Sequence, residues 1–447
     1  MARHVFHGSI VLLVLSALTL RAHAETVHLR VECDRPVVEA GKTHTVRVKV
    51  EVQGAELPEA DRPPVNLSLI IDKSGSMRGD RIKHARQGAI EAVRRLGSQD
   101  IVSVVVFDRQ VETLVPAQRL TNLDRIEQKI NGIQAGGTTN IHGGMQAGLT
   151  ELKKNLDKKY LNRAVLLSDG LANVGPTQPE AFDKLGREFS RSGVIVSTVG
   201  LGRDYNERLL TSLAQASEGN NYFVDNPKTL PKIFEDEIGA LVSTVATGVT
   251  ITIEVPSGVT LRSVLGRTYR QTGNRVEIDF HDLGGGASKY SLLELEIPRA
   301  DEGQMLDALV ARARYRRVAD DREGETSART QVRYTSRPAE AEAAVNLEVQ
   351  NAWVALHQAA VQDEVLDLVE RGEREQAQDR LSRLGDEAAA AGIQPAAAAQ
   401  LEDYGQRESQ ILRSRSYSRQ EVLQRRTDAY QLRNQQSVGR IRLDEEP

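Results

Sequence analysis

The chain has 447 residues, with 58 Lys and Arg against 62 Asp and Glu, a formal net charge of −4. Lacking a basic excess, it is not a general nucleic-acid binder. With 40% hydrophobic and 27% charged residues it reads as globular, about three domains long, and its single cysteine permits neither an intrachain disulfide nor a multi-cysteine zinc site.

Residues 1–24 read as a signal peptide. Arg3 and His4 precede a mostly apolar run from Ile10 to Leu20, and Ala22-His23-Ala24 is a small-x-small cleavage signature before Glu25. The run is too short to span a bilayer, which takes about 20 residues, and no later stretch approaches one. Cleavage after Ala24 predicts a secreted or periplasmic protein with no transmembrane segment.

Residues 25–60 alternate like half-buried strands: Val27, Leu29, Val31 and Cys33, then Val46, Val48, Val50 and Val52. Pro58, Pro63 and Pro64 break that pattern. From 64 to 242 short apolar strands alternate with amphipathic helices. The predicted strands are Val65–Ile71, Ile101–Phe107, Arg163–Leu167, Val194–Val199 and Tyr222–Val224, and Ile82, Ala85, Ala89, Val93 and Leu96 mark the first helix. This pattern predicts a doubly wound, mostly parallel α/β sheet covered on both faces.

Residues 243–340 return to period two, at Val249 to Val255, Val276 to Phe280 and Leu293 to Ile297, which predicts a β-sandwich. The strands at 25–60 cannot stand alone. They are expected to join 243–340 in one sandwich with the α/β domain inserted in it. Residues 341–436 have helical spacing and predict a helical hairpin or coiled coil, with breaks at Arg371-Gly372 and Gly392–Pro395, before a tail at 437–447.

The chemistry concentrates in three loops. The first α/β strand runs into Asp72-Lys73-Ser74-Gly75-Ser76, a second loop reads Gly136-Gly137-Thr138-Thr139-Asn140, and a third strand ends in Ser168-Asp169-Gly170. In open parallel sheets, ligands bind at the carboxyl ends of the strands. All the donors are oxygens, which suits hard divalent cations such as Mg2+ rather than zinc. As a purely structural alternative, the same Ser and Asp residues cap helices.

As a set, Asp-x-Ser-x-Ser at 72–76, Gly-Gly-Thr at 136–138 and Ser-Asp-Gly at 168–170 resemble the metal-ion-dependent adhesion site of the von Willebrand factor type A domain. The resemblance covers about residues 64–242. It implies that Ser74, Ser76 and Thr138 touch a metal and that Asp72 and Asp169 act directly or through water. The doubled Thr138-Thr139 leaves the threonine open to one position. The Leu-Leu-Ser-Asp-Gly-x-x-Asn run at 166–173 resembles bacterial members. The implied cofactor is Mg2+, with Ca2+ or Mn2+ as alternatives, and the implied partner is a protein presenting an Asp or Glu. In that family the last helix of the domain, here about Lys228–Leu241, can move when the metal site is occupied. Either ligation shifts it against the sandwich or it is a rigid linker.

Other signals are weaker. Arg78-Gly79-Asp80 reads as a helix start rather than a recognition triplet, Cys33 as a buried thiol and His142 as a helix-start residue. From Ser409 to Arg440 seven Arg face only Glu421 and Asp428, so this helix either meets an anionic partner or is a solvated helix or coiled coil. Tyr404, Tyr417 and Tyr430 recur every 13 residues and predict one packed face. No His-x-x-x-His pair, Gly-x-Ser-x-Gly elbow or phosphate loop points to catalysis. The expectation is a non-enzymatic binding module of the cell envelope. Alternatives are a structural envelope scaffold with an unused metal site, or an enzyme of unknown class.

Overall fold

The computed structural model describes residues 25–56, 62–157 and 159–436. The leader at 1–24, Pro58 and the tail at 437–447 lie outside the described residues. The chain opens with β1 (Val27–Cys33), β2 (Val37–Glu39) and β3 (His44–Gly54). The α/β unit follows as β4 (Val65–Asp72), α1 (Asp80–Arg94), β5 (Ile101–Phe107), β6 (Val111–Arg119), α2 (Leu123–Asn131) and α3 (Ile141–Lys153). It continues as β7 (Leu161–Ser168), α4 (Pro179–Arg191), β8 (Ile195–Leu201), α5 (Glu207–Ser217), β9 (Asn221–Val224) and α6 (Leu230–Val242). Seven strands come next: β10 (Thr244–Glu254), β11 (Thr260–Leu265), β12 (Tyr269–Thr272), β13 (Arg275–Gly284), β14 (Ser288–Ile297), β15 (Met305–Arg317) and β16 (Glu323–Thr335). Helices α7 (Pro338–Ala343), α8 (Leu347–Glu370), α9 (Arg374–Ser382), α10 (Leu384–Ala390), α11 (Pro395–Ser414) and α12 (Arg419–Asn434) complete it.

The α/β unit is built on a sheet of order β6-β5-β4-β7-β8-β9, parallel except for β6 against β5. Strand residues alternate between its faces. Val65, Leu67, Leu69 and Ile71 of β4 join α1, α2 and α6 in one apolar cluster. Ile70 joins α3, α4 and α5 in another. Asn66, facing the second cluster's side, is accommodated because its amide donates to Leu152 O at 3.1 Å and Asn162 Oδ1 at 2.8 Å. Each fully buried Leu or Ile contributes roughly 1.5–3 kcal/mol relative to exposure, so this double cover makes the sheet a rigid base.

The remaining strands make two sheets, β1-β3-β14-β11 and β12-β13-β10-β15-β16-β2. Val46, Val48, Val50 and Val52 of β3 share one apolar cluster with Ile251, Ile253, Ile278 and Leu309 of the other sheet. The opposite side of β3 carries Arg47 and Lys49, buried beneath the helices. Arg47 is held by Asp34 at 3.3 Å, Glu294 at 3.2 Å and Ala391 O at 2.9 Å, and its guanidinium lies over Trp353 at 4.8 Å. Helices α8 to α12 enclose their own apolar cluster, which takes in Leu292 from β14. Among the described residues no helix is long and apolar enough to cross a membrane.

The chain leaves these sheets after β3 and returns at β10. The crossings are adjacent: Gly54 N donates to Ala287 O at 3.0 Å, Gly285 N donates to Ser243 O at 2.8 Å, and a Cβ on Gly54 would stand 2.9 Å from Val245.

Candidate metal centre

β4 delivers Asp72 at its carboxyl end, where the strand stops and a single 3-10 turn, Gly75–Met77, carries the chain towards α1. Gly79, with φ of 77°, makes the bend that lets Asp80 open the helix. Arg78 and Asp80 are thus used in a turn, the bland reading of that triplet. β7, hydrogen-bonded beside β4, delivers Ser168 and Asp169 to the same edge. The adjacency of these strands makes an acid at 72 and one at 169 neighbours.

Four of the five residues expected from sequence are joined by contacts. Asp72 is fully buried and accepts from Ser74 N at 2.7 Å and from Ser168 Oγ at 2.6 Å. Ser74 Oγ lies 3.0 Å from Ser76 Oγ, and Ser76 Oγ donates to Asp169 Oδ1 at 2.7 Å. The fifth, Thr138, is exposed, whereas Thr139 is buried. A Cβ placed on Gly170 would stand 3.1 Å from Thr139 Oγ1 and 3.5 Å from Ser76 Oγ, so Thr139 is the threonine that borders the other donors. Its amide donates to Asn173 Oδ1 at 2.8 Å, and its carbonyl accepts from Asn173 N at 3.1 Å. Asn140 then caps α3 by accepting from Gly143 N at 3.0 Å.

Three participants escape sequence reasoning. Ser168 orients Asp72, Asn173 pins the threonine loop, and Arg81 Nη1 donates to Asp169 Oδ2 at 2.5 Å. Ser168 and Asn173 had a visible signal, as members of the 166–173 run, whereas Arg81 had none.

Burial pushes the Asp72 carboxyl up to about 6; Ser168 and Ser74 pull it down, and Asp169 pushes it further up. A cation there would reverse the penalty. The donor set fits a hard cation. In an octahedron with bonds of about 2.1 Å, adjacent oxygens stand about 3.0 Å apart, and the two serine hydroxyls already have that spacing. Two carboxylates and three hydroxyls, with no nitrogen or sulfur, suit Mg2+ or a similar ion.

A second acidic group, Glu32, Glu51 and Glu348, brings ligand atoms within 4.8 Å of one another. Lys49 Nζ sits 3.2 Å from Glu51 and 2.7 Å from Glu348, so the chain's own ammonium fills that role. His142 meets Phe182 edge-on at 6.1 Å, and burial lowers its pKa despite nearby Glu188. Cys33 is buried, and burial pushes its thiol pKa up, which keeps it protonated and inert.

Comparison with known proteins bears on the family and the fold. Residues 66–236 match the von Willebrand factor type A domain family. The uncharacterized protein YfbK of Escherichia coli strain K12 is 28% identical over 257 residues, 56% of this chain and 45% of its own length. The human inter-alpha-trypsin inhibitor heavy chain H4 is 30% identical over 187 residues, 40% of this chain and 19% of its own. The chain therefore spans less than half the length of either relative. A solved von Willebrand factor type A structure from Catenulispora acidiphila shares the fold, with a TM-score of 0.69 over 92% of this chain and 98% of that one, at 16% identity.

Proposed function

Because residues 66–236 form a von Willebrand factor type A domain, we propose that the chain is a binding module that captures an acidic side chain of a protein partner through a divalent cation, most simply Mg2+. Asp72, Ser74, Ser76, Thr139 and Asp169 hold the ion, with Thr139 taking the place first assigned to Thr138. The observation that carries this reading is the chain of contacts from Asp72 through the Ser74 amide and the Ser74 and Ser76 hydroxyls to Asp169, at the ends of two neighbouring strands, with side chains that offer only oxygen ligands.

The cation supplies an electrophilic centre with room for a partner's carboxylate. The chain's own residues do the rest. Neutral hydroxyls leave most of the ion's charge uncompensated, and Ser168 holds Asp72 in one orientation. Ser76 stands exposed at the rim, where a partner arrives. The role proposed for these residues is capture rather than turnover. With residues 1–24 as a cleaved leader, the module works outside the cytoplasm, in the cell envelope.

A parallel pull-down with Mg2+ and with EDTA, using wild type and Ser74→Ala, tests this. Partners retained only by wild type in Mg2+, with circular dichroism unchanged in the variant, are expected. Retention indifferent to both EDTA and the substitution would leave the scaffold reading, which the pairing of Arg81 with Asp169 favours.

A further inference from the structure

Arg163 is the third residue of β7, while Asp169 follows that strand's end, so the two are separated by about 20 Å of extended chain. There the α/β unit, the strands after it and the end of α12 meet around a crevice of about 430 Å³. Three cations line it: Arg163, Arg267 and Lys289. Arg163 is 7% exposed, its Nε has no hydrogen-bond partner among the described residues, and its ion-pair contact is with Asp282 at 3.5 Å. Arg267 lies over Phe280 at 4.7 Å and donates to Asn434 O at 3.1 Å, yet its Nε is also buried without a partner. Lys289 Nζ donates to the uncharged carbonyls of Asp282 at 2.6 Å and Phe280 at 3.3 Å.

Three acids, Glu218, Glu237 and Asp282, line the same crevice, and each has a partner, Asp282 being the one that faces Arg163. Glu237 accepts from Ser197, from Asn220 at 2.8 Å and from Tyr222 at 2.7 Å, and Glu218 pairs with His281. Burial, with Arg267 and Arg163 nearby, pushes the Lys289 ammonium down to about 7 against the opposing pull of Asp282 and Glu218. A buried guanidinium nitrogen without an acceptor, as both Nε atoms are here, is costly unless a ligand completes it.

We infer that this crevice binds the phosphate group of a small anion. Cationic donors from three separate strands or turns surround a tetrahedral oxyanion better than a planar carboxylate, and guanidinium forks match phosphate oxygens. The volume exceeds that of a bare ion, so both free phosphate and a small phosphomonoester fit. The site is independent of the metal centre, and binding there proceeds in EDTA.

Isothermal titration of the full chain in EDTA, at fixed ionic strength, with inorganic phosphate and separately with glycerol 3-phosphate is the test. Saturable binding of at least one is expected; a tighter ester identifies a phosphorylated small molecule, and tighter or equal phosphate the free ion. Arg163→Met and Arg267→Gln are each expected to weaken binding at least tenfold. In phosphate-free chloride buffer Arg163→Met is expected to melt no lower than wild type, because it removes a buried charge whose one ion-pair contact, with Asp282, is long at 3.5 Å. No saturable binding to wild type, unchanged affinity in both variants, or an Arg163→Met protein that melts lower or fails to fold, its guanidinium then being satisfied by Asp282, overturns the inference.

Discussion

Arg81 and Asp169 set the charge of the metal centre before any ion arrives. The guanidinium neutralises one of the two carboxylates and opposes an incoming cation. Arg81→Gln is therefore expected to tighten Mg2+ binding by roughly tenfold, about 1.4 kcal/mol, by titration calorimetry. Asp72 adds a pH dependence. Its folded pKa, about 6, lies above the ordinary 3.8, so the protonated form favours the metal-free fold. That contribution is complete below pH 4 and lost as pH rises through 6. A cation must displace this proton, so Mg2+ affinity is expected to hold above pH 7 and fall about tenfold per unit below 6. Thermal melts at pH 5 and 7, with Mg2+ and with EDTA, check the sign: the Mg2+-induced rise should be larger at pH 7. The acids and serines were legible because they follow one another at strand ends. Which of Thr138 and Thr139 turns inward was not legible, because it depends on Asn173, 34 positions away. Arg81 acts on a residue 88 positions away, with no local signature.

Helix α6 carries the metal-bearing unit into β10 without a linker, and it is seated on α1. Gly88 of α1 permits that seating: a Cβ there would stand 2.8 Å from the Phe234 ring of α6. Gly88→Val is expected to cost about 1–3 kcal/mol, measured by denaturant midpoint, and to speed amide exchange over residues 228–245. The same exchange measured with and without Mg2+ tests whether ligation moves the helix. Elements with strong apolar periodicity were readable. Predicted Ile101–Phe107 and observed β5 coincide, and the others of the parallel sheet differ at their ends by up to two residues. β6 was missed because this edge strand is mostly exposed and contains Pro116. The β15–β16 hairpin was missed because its inward residues include Ala311 and Ala313 between outward arginines, too small to register as an apolar stripe.

Helix α12 binds the whole molecule together. Leu423 packs in the α/β unit's cluster and Val422 in the helical one, and Tyr430 OH donates to Gly219 O at 2.6 Å. Its arginines, which in sequence pointed to an anionic partner or to solvent, are largely spent within the molecule. Arg419 meets Glu207, Arg425 meets Glu408 at 3.0 Å, Arg426 meets Asp367 at 2.8 Å and Arg433 meets Asp363 at 2.7 Å. Of the recurring tyrosines, Tyr417 bonds to Glu408 at 2.6 Å beneath Arg425, and Tyr404 reaches Gln362 at 3.3 Å. Leu423→Ala is expected to cost about 2–5 kcal/mol. In a calorimetric scan it should separate melting of the α/β unit from that of the rest. Composition revealed that this helix was basic; the matching acids lie on other elements, beyond the reach of spacing arguments.

The adjacent crossings at Gly54 and Val245 make the α/β unit an insert in chain order, one that α12 then ties down. A few residues joining position 55 to 243 would close the surrounding strands into an uninterrupted scaffold. Any replacement of the insert would have to offer α12 the same seat for Leu423, Tyr430 and Arg419, so cargo and clasp must change together.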